Sequence, residues 1–219
     1  MQGQPQAVRH RVGQGQAARD GQPQPLGAQH VDQPHLYPPP QIVPGVEQAV
    51  HGLTALVRQD AAASGADGRT WATAFPRVQD GIDAAMAMGR PCEVWVAEGR
   101  YHIFEHSQLD TVNLRSDVSV YGGFTGTETE RQQRDPEQHA AILDGRQAGD
   151  PSRRVFHVIR ATGVSAARID GLVVEMGRAD GLDVNLDDRG AGLFSYVSEL
   201  TVANCRFEGN EAYLTGGAI

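Results

Sequence analysis

The chain has 219 residues, with 40% hydrophobic and 6% aromatic content and 26 glycines, which suits one or two domains rich in turns rather than a helical bundle. A net charge of −8 argues against nonspecific nucleic-acid binding, which needs basic surface to neutralise phosphate. No run of about 18 apolar residues is present to span a membrane as a helix, and the first residues do not read as a basic region followed by an apolar core.

Residues 1–55 hold eight of the 12 prolines, many glutamines and no apolar periodicity. Such a stretch buries too little surface to offset its chain entropy, so it reads as disordered. A start codon placed too far upstream would give the same composition. Residues 56–94 read as an N-terminal cap. Within it, a Gly/Asp loop at 63–71 precedes a helix expected over 76–88, with Pro76 in its first turn and Gly89 ending it. Val78, Ile82, Ala85 and Met86 share one face of that helix. "CEVWVAEG" (92–99) alternates like a strand.

From Trp95 to the end a short pattern recurs: "WVAEG" (95–99), "VSVYG" (118–122), "AAILDG" (140–145), "AARIDG" (166–171) and "LTVAN" (200–204). Aligned on Gly99, Gly122, Gly145, Gly171 and Asn204, the copies step by 23, 23, 26 and 33 residues. Side chains two apart along a strand share a face, and the apolar phase slips by one at the Gly/Asn column. A slip marks a corner, and Gly and Asn best tolerate the left-handed backbone a corner needs. Short strands at such a period predict an all-β solenoid, a right-handed parallel β-helix over 95–219, with the helix at 76–88 covering its first coil. "GAGLF" (190–194) and "TGGAI" (215–219) form a second matched pair, expected on another side of the coil. The ending on "GGAI" reads as a strand in progress, hence as an N-terminal fragment of a longer protein.

"FEGN" (207–210) followed by "GGAI" (216–219) resembles the FxxN and GGA[ILV] motifs of chlamydial polymorphic outer membrane protein repeats. "DGRTWATAFPRVQDGIDAA" (67–85), "VYGGFTGTETERQQRDP" (120–136) and "AILDG" resemble the cap and first coils of bacterial surface proteins with pectin-lyase-like parallel β-helices. The resemblance covers about residues 56–219. It implies a secreted, cell-surface or outer-membrane protein, adhesive or structural, whose partner is a host or cell-surface glycan or protein.

Candidate chemistry sits in the outward column before each corner: Glu98, Tyr121, Asp144, Asp170 and Ala203. In that register Asp144 and Asp170 stack about 5 Å apart on adjacent coils. The spacing suits a glycosidase carboxylate pair or half of a Ca²⁺ site, with Arg168 or Arg146 as the base of a lyase. The competing reading is that each Asp bonds its own turn and each Arg pairs with it. Asp183, Asn185 and Asp187 alternate in an acidic loop and could offer oxygens to Ca²⁺, although Asp188 and Phe194 stand where an EF-hand needs Gly and Glu. Cofactors are otherwise not implied. Cys92 and Cys205 lack metal spacing and read as buried thiols, while His157 reads as a surface or edge residue. "GGFTGTE" (122–128) opens no helix and is rejected as a phosphate loop. A non-enzymatic role is favoured, with a polysaccharide lyase or glycoside hydrolase acting on acidic polysaccharide as the alternative.

Overall fold

The computed structural model describes residues 53–181 and 187–219. The Pro/Gln-rich segment up to residue 52 lies outside them, as do Asp183 and Asn185 of the acidic loop. The described chain is mostly β, with one α-helix near its N-terminal part and sheets whose long-range pairings are parallel.

The first strand, β1 (Thr54–Val57), is followed by the helix α1 (Val78–Met88) and then β2 (Cys92–Ala97), which pairs parallel with β1. β1 therefore starts two residues ahead of the expected cap boundary and already belongs to the first wall. The chain then runs through β3 (Gly99–Phe104), β4 (Val112–Asn113), β5 (Val118–Phe124) and β6 (Ala141–Gln147). A short antiparallel excursion, β7 (Asp150–Arg154), folds back on β6. Next come β8 (Ile159–Thr162), β9 (Ala167–Asp170), β10 (Leu172–Glu175) and β11 (Arg178–Ala179). The last strands are β12 (Leu193–Tyr196), β13 (Leu200–Ala203), β14 (Arg206–Glu208) and β15 (Glu211–Ala212).

Apart from β7 folding back on β6, strands pair from one circuit to the next rather than within a circuit. The first wall is β1-β2-β5-β9-β13, the second β3-β6-β10-β14 and the third β4-β8-β12, with β11-β15 as a short extra pair. The chain thus visits first, second and third walls in turn, a solenoid-like arrangement. The GGAI ending also follows this rule, because Gly190, Ala191, Gly192 and Leu193 N–H groups donate to the carbonyls of Thr215 to Ala218 at 2.8–3.2 Å. It lies one coil beyond Gly190–Leu193, as the matched pair predicts, with the register shifted by one residue because Arg189 pairs with Thr215.

Alternation along each strand sends one set of side chains inward. Val94, Val120 and Ile169 from the first wall meet Leu143 and Val174 from the second and Ile159 and Leu193 from the third, all buried. Burying each such side chain contributes about 1.5–3 kcal/mol. In the first circuit α1 stands where later circuits have two walls. Its Val78, Ile82 and Ala85 join the same core, and Met86 packs against it half-buried. The approach is close: a Cβ on Gly81 would fall 2.4 Å from Val57 Cγ2. The helix starts at Val78, two residues after Pro76, with Gly89 as its C-cap.

The corner prediction holds at Gly171, with φ +73°, and at Asn204, with φ +50°, whereas Gly122 and Gly145 lie inside β5 and β6 and turn no corner. The five-copy alignment needs correction. "VSVYG", "AARIDG" and "LTVAN" lie on the first wall in the expected register, but Cys92 rather than Trp95 pairs with Val118. "AILDG" lies on the second wall, paired with β3 and β10. A 16-residue excursion over residues 125–140 separates β5 from β6, which explains how a spacing of 23 came to link strands of different walls.

Candidate functional site

The register decides which charged residues meet. On the first wall Asp170 pairs with Tyr121 and Ala203, and on the second Asp144 pairs with His102 and Glu175. Asp144 and Asp170 therefore do not stack on one another, and Glu98 stands apart at a corner, half-exposed, with its Oε2 2.9 Å from His139 Nδ1. The predicted carboxylate column is scattered. The pair that does stack is Asp144 with Glu175, a residue the sequence reading missed. Its signal was available in "LVVEMG" (172–177), which repeats the apolar-x-apolar-acid order of "AILDG".

Both carboxylates of this pair are buried and face two arginines. Arg100 Nη1 donates to Asp144 Oδ2 and to Glu175 Oε1. From the same strand, Arg146 donates its backbone N–H to Asp144 Oδ1 at 3.0 Å and its Nη2 to Asp144 Oδ2 at 2.7 Å and Glu175 Oε1 at 3.0 Å. Burial alone would raise the Asp144 pKa, but the hydrogen bonds of Arg146 and Arg100 outweigh it and hold the carboxyl below its ordinary value. His102 lies beside the cluster, its Nδ1 3.0 Å from the Arg146 carbonyl oxygen and 3.8 Å from Asp144 Oδ2.

Asp170 has a separate set of partners. Arg134, from the excursion that covers the first wall, donates Nη2 to Oδ1 at 2.8 Å, and Asn204 Nδ2 donates to the same oxygen at 2.9 Å. Arg168 Nη2 donates to Oδ2 at 2.5 Å. Here too burial would raise the pKa, and the bonds from Asn204, Arg134 and Arg168 bring it below the ordinary value. Arg146 and Arg168 are thus ion-pair partners of Asp144, two residues before the one, and Asp170, two residues after the other, as the competing reading has it.

Arg100 and His102 of this cluster, though not its carboxylates, border a cleft of about 420 Å³ between β3, the start of α1 and the segment leading into β4. Arg77, Asp80, Arg100, His102, Glu105 and Asn113 line it.

Other expected sites resolve as follows. Asp187 is buried with its Oδ1 3.5 Å from His157 Nε2, and among the described residues no three His, Cys, Asp or Glu side chains converge to hold a metal ion. His157 is buried rather than at the surface: its ring packs on Phe194 at 4.9 Å and its Nδ1 lies 3.1 Å from the Gly190 carbonyl oxygen. The corner before β8 turns it inward. Cys92 is buried and Cys205 half-buried, both free. In "GGFTGTE" the backbone N–H groups of Thr125, Gly126 and Thr127 all donate to the Glu128 carboxylate at 2.7–3.1 Å, so the loop's donors hold an internal anion. Among the described residues no helix is long and apolar enough to cross a membrane.

No protein-family model matches the chain, and neither does any curated protein or solved structure compared with it.

Proposed function

We propose that these coils form a right-handed parallel β-helix of pectin-lyase-like type, and that the protein is a non-enzymatic secreted or cell-surface adhesin or stalk. Its lateral walls would meet a glycan or protein on a host or cell surface. The observation that carries this reading is the state of the buried carboxylates: Asp144, Glu175 and Asp170 each face arginines and are spent on holding walls together. A general acid or base needs a proton it can release or take up near the working pH, and Asp144 and Asp170 are pushed the other way. The resemblance in "FEGN" and "GGAI" supports the surface assignment, and the hydrogen bonds of Asn210 give that motif a role in joining coils. Long lateral faces are what solenoids offer to partners.

One observation favours the alternative, a polysaccharide lyase or glycoside hydrolase: Asp144, Glu175, Arg100, Arg146 and His102 converge beside a cleft. Depolymerisation assays on pectin, polygalacturonate and alginate, with and without Ca²⁺, separate the two. No cleavage together with retained binding to immobilised glycan or cells is the expected result. Cleavage that disappears in Asp144→Asn would overturn the non-enzymatic reading.

A further inference from the structure

A second cavity lies on another part of the surface, with a lining unlike the rest of this acidic chain. It encloses about 360 Å³ where the end of β3, the β7 excursion and β11 come together. Arg153 and Arg154 reach it from β7, Arg178 from β11, and His106, Ser107 and Ser152 complete its polar lining. Backbone bonds fix these segments against each other: Phe156 N–H donates to the Gln108 carbonyl oxygen at 2.8 Å, and Arg178 N–H donates to that of Val155 at 2.8 Å.

The three guanidinium groups are under-neutralised. Arg153 stacks over the Phe104 ring at 4.6 Å and donates Nη1 to the neutral amide oxygen of Gln147 at 3.1 Å. Arg154 and Arg178 share one carboxylate, Glu211, at 3.2 and 3.6 Å, and Asp180 stands 3.9 Å from Arg178 Nε. Glu211 is itself more than half exposed, so water screens it. Arg154 is mostly buried, and its Nε and Nη1 make no hydrogen bond among the described residues. The carboxylates near the three guanidinium groups, Glu211, Asp180 and Asp150, are all exposed and screened, while two buried Arg154 nitrogens keep unfilled donors at the cavity of a chain whose net charge is −8.

We propose that this cavity binds a tetrahedral oxyanion, a phosphate or sulfate group. Guanidinium groups suit it because their planar N–H forks match such oxygens with two parallel bonds each, and the Ser107 hydroxyl, which accepts from Leu109 N–H, keeps its own hydrogen for a third oxygen. Two backbone nests among the described residues are already filled, one by Glu128 and one, at the cavity's own wall, by Asp110, which accepts from the Glu105, His106 and Ser107 N–H groups, so side chains are left to bind the anion. The inference stands apart from the second-wall cluster and from the adhesive or enzymatic assignment.

Calorimetric titration of the whole chain with inorganic phosphate, inorganic sulfate, a hexose phosphate and a hexose sulfate, at ionic strength matched with sodium chloride, tests it. Saturable binding is expected, weakened at least tenfold in Arg153→Gln/Arg178→Gln and unchanged in Arg206→Gln, which removes an exposed charge outside the cavity. Arg154 is left in place because it is packed, and circular dichroism confirms that the double variant keeps its fold. Tighter binding of the sugar esters would make a glycan the source of the anion, and tighter binding of the inorganic ions a free solute. Absence of saturable binding with all four probes, or equal affinity in the double variant, would overturn the proposal.

Discussion

Asn210 reaches back one coil and donates its Nδ2 to the carbonyl oxygen of Val174 at 2.9 Å. Its Oδ1 accepts from Gly177 N–H at 2.8 Å, so one side-chain amide serves both a donor and an acceptor where the chain turns between β10 and β11. Asn210→Ala should therefore lower stability by about 1–3 kcal/mol, because both backbone groups lose their partner. Asn210→Asp keeps the acceptor and loses the donor, and should fall between. Urea unfolding of the three proteins checks the order.

Gly171 turns the chain from β9 to β10 with φ +73°. A Cβ there would lie 2.6 Å from Arg134 Nη1 and 2.9 Å from Pro136 Cβ. Gly171→Ala should cost about 1–3 kcal/mol from backbone strain alone, and Gly171→Val more, since a β-branched residue resists the left-handed region. An unchanged melting temperature in Gly171→Val would show that the corner relaxes freely.

Asp144 depends on its arginines. Removing one partner of a buried ion pair strands a charge. Arg146→Met should destabilise by about 2–3 kcal/mol, with Arg100 still in place. In the Arg146→Met background, Asp144→Asn should cost clearly less than in the wild type. The double-mutant cycle measures that coupling, and strict additivity would mean the groups act independently.

Stability should fall in two phases as pH drops. Burial pushes the His157 pKa below its ordinary value of about 6.5, outweighing the opposite pull of Gly190 and Asp187. The unfolded chain then takes up this proton first, so stability declines as pH falls below about 6.5 and levels off beneath the folded value. Asp144 and Asp170, held low, stabilise the fold above about pH 4, and their contribution is lost as pH falls through their folded values. His157→Gln should remove the upper phase and leave the lower one. Unfolding free energies at pH 7.5, 5.5 and 3.5 separate the two.

Much of the architecture was legible in the residues. Alternating apolar positions marked the strands, the 76–88 pattern marked a helix that begins at Val78, and Gly171 and Asn204 marked a real corner. The site was less legible. "AILDG" looks like "ARIDG", yet it lies on another wall, and Glu175 went unnoticed although it faces the same arginines as Asp144. His157, in a segment that reads as a strand flank, turned out to be buried.

The difference has a physical origin. Which side chains of a strand face inward depends on backbone alternation over a few residues, so residue order alone determined it; corners were legible only in part, since Ala166, Met176 and Val197 also take positive φ while Gly122 and Gly145 stay in strands. Which strand lies beside which depends on hydrogen bonds between residues a full circuit apart, and the circuits differ in length because excursions such as 125–140 and β7 leave the walls. Only the folded chain decided that Asp144 would meet Glu175 and Arg100 rather than Asp170.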